Sequence, residues 1–332
     1  MSWGPVVVGV DASAAAAGAA ALAERIAKLA GVRCELVHAV RDAWAPLVAV
    51  NPDPQVAEMQ LVQQALAREQ VQQVLRGTVS DRALETLNVR FGPAAVVLRQ
   101  VVEERRPGLL VLGGKHHTAL ERWLGGSTSL HVVRTSEVPV LITAGVPTAL
   151  RRSLVAADLS KAAGPTVALA ERFARLVGAE LRVLTVFEPL PNLPGMPAVD
   201  ANEYYALAHE TLEREVWPRL KTQEVQKLVR HGLVVETLLR EATEWRADVL
   251  VVGSHGKGWA QRVLLGSVTE RLINQLPTSL LVAPVDVAAA ALSRRYERRV
   301  ARGGRSRPSC SASWTNAQRP VASGGETGHW LA

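Results

Sequence analysis

The chain is written twice, and this duplication limits its fold more than any other feature. From Pro5, the β-branched run Val6-Val-Val-Gly-Val10 ends in Asp11-Ala-Ser13. An alanine-rich segment follows, with Leu22, Ile26 and Leu29 at i, i+4 and i+7 and Gly31 as a helix stop, and then a second apolar run over 34–40. From Ser153 the same order returns. A strand over 154–157 ends in Asp158-Leu-Ser160, and Gly164-Pro165 opens a segment that keeps Leu169, Phe173 and Leu176 in helical period. Gly178 closes that segment, and 181–187 is the matching strand.

Each copy continues through a proline-containing loop into a long polar helix, predicted over 55–75 and 202–220. A third strand is expected near 85–90 and 224–229, then a helix opened by Gly92-Pro93 or Gly232. Each copy closes with an apolar strand, a glycine loop, a short helix and a last strand, over 138–143 and 279–283. Asp158 lies 147 residues after Asp11, but Gly253 lies only 140 after Gly113 (158 − 11 against 253 − 113). The second copy therefore lacks a net seven residues, which we place in the loops around its long helix. Strands alternating with helices give a parallel sheet covered on both faces, with ligands expected beyond the carboxyl ends of the strands. The predicted fold is α/β: two tandem doubly wound parallel-sheet domains, Rossmann-like, over residues 1–146 and 151–286. A basic tail over 287–332 follows, rich in Arg, Ser, Gly and Pro, with helical character expected over 288–300 and disorder beyond.

Composition supports this reading. With 332 residues and 48% hydrophobic content the chain can bury two cores, and its apolar mass is Val, Leu and Ala rather than aromatic (4%). The net charge is +7, but residues 287–332 hold eight Arg against two Glu, so +6 belongs to the tail. The domains are close to neutral and present no nucleic-acid face. No apolar run approaches the ~18–20 residues that cross a bilayer, and the first residues lack a basic, signal-like stretch. A cytoplasmic protein is expected. Two cysteines, Cys34 and Cys310, make neither a disulfide framework nor a metal-ligand spacing.

The chemistry is concentrated after the strand 249–252, in Gly253-Ser-His-Gly256 and, after nine further residues, Gly266-Ser267 before a helix over 268–276. A buried strand, a glycine-rich loop and a helix N-terminus in that order bring free backbone N–H groups together, and a polyphosphate is the anion that suits them. Gly253, Gly256 and Gly266 let the backbone approach a ligand closely, and Lys257 adds a point charge. Asp158, at the end of the first strand of this copy, reaches over the same sheet edge and suits the sugar or base of a nucleotide. Each feature also has a plainer reading. Ser267-x-x-Glu270 is a capping box, Gly253 a strand-end turn, and Asp11 and Asp158 are ordinary turn or helix starters. His38 and Cys34 read as core or edge residues. His116-His117 makes no metal pattern, and Lys115 does not complete a Walker loop.

At Val252-Gly-Ser-His-Gly-Lys257 and Leu265-Gly-Ser-Val-Thr-Glu270, with Asp158 in Ala156-Ala-Asp-Leu-Ser160, the sequence resembles the nucleotide-binding branch of the universal stress protein family over residues 5–285. The resemblance implies an adenine-nucleotide α-hydrolase-like fold. It implies ATP as ligand, with or without Mg²⁺: Asp158 and the backbone of Val186 at the adenosine end, and Gly253, His255, Gly256, Gly266, Ser267 and Val268 at the ribose and phosphates. It also implies that the two copies pair through their last strands as an internal pseudo-dimer, with a homodimer of whole chains as a further family option.

The first copy departs from this pattern. Asp11, Gly113, Gly126 and Ser127 are in place, but His116 stands where the second glycine belongs and Gly125 is extra. A histidine side chain there obstructs close backbone approach, so weak or no nucleotide binding is expected of the first copy. The expected role is stress response or regulation rather than catalysis, since no residue of the motif is an obvious base for activating water. The competing readings are a nucleotide-independent interaction or dimerisation module of the same family, and an adenylating ligase. The ligase reading is opposed by Val10-Asp-Ala-Ser13 and Ala157-Asp-Leu-Ser160, which lack the Ser-Gly-Gly-x-Asp-Ser type of loop.

Overall fold

The computed structural model describes residues 3–42, 54–114, 128–145, 150–160, 163–188, 201–220, 225–254 and 265–284, all within the compact unit Met1–Val287. The first copy supplies β1 (Val6–Gly9), α1 (Ala14–Ala30), β2 (Cys34–Val40), α2 (Pro54–Leu75), α3 (Asp81–Glu85), β3 (Asn88–Phe91), α4 (Ala94–Arg105), β4 (Leu109–Gly113), α5 (Thr128–Thr135) and β5 (Val140–Thr143). The second supplies β6 (Arg152–Ala156), α6 (Ala163–Val177), β7 (Glu180–Phe187), α7 (Ala201–Thr211), β8 (Gln226–His231), α8 (Val234–Glu244), β9 (Val249–Gly253), α9 (Ser267–Gln275) and β10 (Ser279–Ala283). The expectations for the tail lie outside the described residues.

The ten strands form one sheet in the order β3-β2-β1-β4-β5-β10-β9-β6-β7-β8. Within each copy every neighbouring pair is parallel, and the copies meet where β5 and β10 run antiparallel with Leu141 opposite Leu281. Side chains alternate across the strands, so two hydrophobic cores form, one per face, and each runs through both copies. On one face Val6, Val8, Leu141, Leu281 and Val155 pack under α1, α2, α6 and α7. On the other Val7, Val140, Ile142, Leu280 and Val282 pack under α4, α5, α8 and α9.

Local chemistry explains the elements. Ser13 caps α1, its Oγ accepting the Ala16 N–H at 3.2 Å, and Gly31 ends the helix with φ +67°. The buried face of α1 is mostly alanine, which lets the helix lie close to the sheet; Leu22 and Ile26 are buried, whereas Leu29, in the last turn, is half exposed. The third strand starts later than the periodicity predicts, because Ser80 caps the short helix α3 just before it. The long helix of the second copy is broken: a π-helical turn (Leu212–Val216) and a 3₁₀ turn (Trp217–Arg219) follow α7, and Pro218 removes a backbone donor there. The seven-residue deficit has a definite place. Gly92 N–H donates to Val40 O, and Gly232 N–H donates to Phe187 O. The interval between these partners is seven residues longer in the first copy (92 − 40 against 232 − 187), so the whole difference lies between the second and third strands.

Among the described residues no helix is long and apolar enough to cross a membrane. His38 is tied through Nδ1 to Val10 O at 2.7 Å. Burial, with smaller contributions from Glu24 and Glu35, pushes the Cys34 thiol up to about 12. In a Cys310→Ser chain at pH 8, Cys34 is expected to resist a disulfide exchange reagent until denaturant is added, since only the thiolate attacks. Rapid reaction of the native chain would contradict the raised thiol pKa. Leu281 is fully buried at the seam, and its replacement by Ala is expected to cost about 3 kcal/mol. Chemical denaturation followed by circular dichroism should show both copies losing stability in one shared transition.

Candidate functional site

A cleft of about 430 Å³ opens over the carboxyl ends of β7, β6 and β9. This is where the strand order of the second copy reverses, the usual ligand position in an open α/β sheet. Its floor on the β7 and β6 side is Val186, Leu184 and Ala157, with Val234 and Leu238 of α8 closing one wall. Two carboxylates, Asp158 and Glu188, stand at this side, together with Tyr204. Tyr204 belongs to an aromatic group with Phe187 (centroids 6.4 Å apart) and Tyr205 (5.5 Å). The opposite side is made by Gly253 and the first turn of α9, Ser267, Val268 and Thr269.

The β9 side is built from backbone. Gly266 is the N-cap of α9, with φ −59° and ψ 136°, and no side chain caps the helix. The capping box available in Ser267-x-x-Glu270 does not form: Ser267 already sits inside the helix, where its hydroxyl cannot serve as the cap. The first-turn N–H groups are left for the cleft, where they favour an anion. The two ends of the glycine loop are tied at its base. Ser254 N–H donates to Ala283 O (2.8 Å), Gly266 N–H donates to Ser254 O (2.9 Å), and the Thr269 hydroxyl donates to Gly253 O (2.7 Å). No Lys or Arg is among the described residues lining the cleft. Among these residues, the positive potential at this wall comes from amide dipoles.

Asp158 is half-buried. Its Oδ1 accepts from both the Ser160 N–H (3.1 Å) and the Ser160 hydroxyl (2.6 Å), so the carboxylate shapes the turn after β6 as well as facing the cleft. Asp11 forms the same turn with Ser13 in the first copy. The plain turn reading of these aspartates is therefore realised in both copies.

The structure brings Asp158, Val186, Gly253, Ser267 and Val268 to one cleft, with Gly266 at its edge. His255, Gly256 and Lys257 lie outside the described residues, as do His116, Gly125, Gly126 and Ser127. In the first copy, Gly113 lies against α1. A Cβ on Gly113 would stand 2.9 Å from the carbonyl carbon and oxygen of Ala15 and 3.0 Å from the Ala16 nitrogen. The first turn of α1 thus lies directly on the end of β4. Sequence reasoning did not single out Glu188, Tyr204 or Thr166. Glu188 had a signal, because it follows Val186 at the strand period of two; nothing in spacing marks Tyr204. Among the described residues no group of three or more His, Cys, Asp or Glu is placed to hold a metal ion.

A parallel-sheet unit repeated in tandem, each with its glycine strand-end beside a helix N-terminus, defines a class, and comparison with known proteins agrees. The chain belongs to the universal stress protein family, whose family model matches residues 2–144 and again 149–284. It is similar to a universal stress protein of Mycolicibacterium smegmatis, 29% identical over 290 residues, covering 83% of this chain and 96% of the relative. A universal stress protein of Mycobacterium tuberculosis is 27% identical over 293 residues, covering 84% and 95%. The crystal structure of a universal stress protein from Archaeoglobus fulgidus shares the fold, with a TM-score of 0.56 and 19% identity over 84% of this chain and 98% of that one.

Thr269→Val removes the hydroxyl that holds the Gly253 carbonyl. A loss of about 1 kcal/mol is expected, together with faster hydrogen exchange at the Gly266 amide. Unchanged exchange would show that the loop base is held by other contacts.

Proposed function

We propose that this chain binds one ATP, with or without Mg²⁺, in its second copy, and that it serves a cytoplasmic stress-response or regulatory role rather than catalysis. The observation that carries the reading is the cleft of the second copy, with a carboxylate and apolar side over β7 and β6 and an uncapped helix N-terminus over β9. A nucleotide has the matching polarity: a base and sugar rich in hydrogen-bond donors at one end, and an anion at the other. Asp158 and the backbone of Val186 receive the adenosine end. Gly253, Gly266, Ser267 and Val268, with His255 and Gly256 of the same motif, receive the ribose and phosphates.

In the first copy His116 stands where the second glycine of the loop belongs, so Asp11, Gly113, Gly126 and Ser127 are expected to bind nucleotide weakly or not at all, and that copy acts as packing partner. Regulation rests on linkage: a ligand that binds only the folded chain stabilises it as nucleotide concentration rises. Domain limits of 1–146 and 151–286, with the tail 287–332 apart, complete the proposal.

The test is to denature the purified chain and identify the nucleotide released, with its molar ratio. One adenine nucleotide per chain is expected. Gly266→Leu should abolish it while circular dichroism stays native, and Gly126→Leu should leave it unchanged. Two nucleotides per chain, or retention after Gly266→Leu, would sink the assignment. A folded chain that binds no nucleotide would favour the interaction-module reading.

A further inference from the structure

The seam places a charge from the first copy beside the phosphate wall of the second. Glu270 is the acidic residue in the first turn of α9, immediately after Ser267, Val268 and Thr269. A carboxylate so near a helix N-terminus competes with any anion bound there. Its ion-pair partner is not in its own copy. Arg134, in α5 of the first copy, places Nη2 3.4 Å from Glu270 Oε1, with both side chains 40% exposed.

Two further observations hold this arrangement in place. Leu276, at the C-terminal end of α9, packs so closely on Gly114 of the first copy that a Cβ there would stand 2.2 Å from Leu276 Cδ2. The helix is therefore lodged against the first copy at its far end as well. The pair is also not repeated by the pseudo-symmetry. The offset of 140 that relates the glycine loops puts Leu130 where Glu270 stands and Asn274 where Arg134 stands, so the reciprocal ion pair cannot form. Among the described residues the bridge therefore stands only beside the cleft of the second copy.

We propose that Arg134 is a positioning residue for the phosphate end of the second copy's site, acting through Glu270. It holds the Glu270 carboxylate toward the first copy and offsets its charge, so that the amide dipoles of α9 act on the ligand's phosphates unopposed. This inference rests on the nucleotide reading above. It gives the first copy a role in the binding site of the second.

Calorimetric titration of ATP, AMP and adenosine into the wild-type chain, Arg134→Ala, Glu270→Gln and the double variant tests it. At low ionic strength, Arg134→Ala should weaken ATP about threefold, AMP less and adenosine not at all, since the opposing charge is felt only by phosphate. Glu270→Gln should bind ATP at least as tightly as wild type, and the double variant should recover to within about twofold of wild type. The ATP effect should shrink in about 0.5 M salt, where screening is strong. Equal weakening of adenosine and ATP, failure of Glu270→Gln to rescue, or no effect of Arg134→Ala would each overturn the proposal. A folded wild-type chain that binds neither ATP nor adenosine would instead overturn the nucleotide reading, and this inference with it.

Discussion

The backbone pairing of β5 with β10 is the constraint on which the rest of the molecule depends. Each copy by itself would end in a bare strand whose N–H and C=O groups face water. Joining the two last strands antiparallel satisfies those groups and brings Leu141 against Leu281 on one face, and Val140 and Ile142 against Val282 and Leu280 on the other. The helix layers follow the sheet across the join. Trp3 of the first copy packs edge-on against Phe173 of α6, with the Arg172 guanidinium 4.1 Å from the Trp3 ring. At the seam Ala144 N–H donates to Ser279 Oγ at 3.2 Å. Two cores that each span the seam make the halves one cooperative body.

On that shared frame the copies have diverged through small differences at the strand ends. Both keep an Asp-x-Ser turn after their first strand, with the aspartate oxygen bound to the serine amide. At the end of the fourth strand, Gly113 meets the backbone of α1, and Gly253 lines a cleft bordered by Ala163 and Thr166 of α6. The loops that follow differ in sequence, with His116 where the second copy has Gly256.

Much of this was legible in the sequence because it rests on periodicity and spacing. Most strands fall within two residues of their predicted ends, and β2 and β10 match in full. The seven-residue deficit could be assigned to the loops around the long helix from the offsets of Asp158 and Gly253 alone. What escaped detection depends on tertiary contact. The capping box at Ser267 and Glu270 is a valid local pattern, but the helix begins one residue earlier than the box requires, and Glu270 turns to Arg134 of the other copy. The break after α7 follows from burying Leu212, Val216 and Trp217 in the core, which a polar helical pattern does not disclose. Glu188 and Tyr204 enter the cleft because β7 and α7 converge there, a proximity without a local signature.

Fusing the copies through their last strands also decides where the sheet ends. Two separate five-stranded sheets would have four open edges, and the joined sheet has two, β3 and β8. Those strands carry charge where another chain would have to dock. β3 contains Arg90, bridged to Glu104 at 2.7 Å, and β8 contains Lys227 and Arg230. Long hydrated side chains on a short terminal strand discourage a second sheet from adding on. Duplication within one chain has thus buried the hydrophobic Val-Leu-Ile edge that each copy would otherwise expose to aggregation, leaving as borders the two strands that carry Arg and Lys.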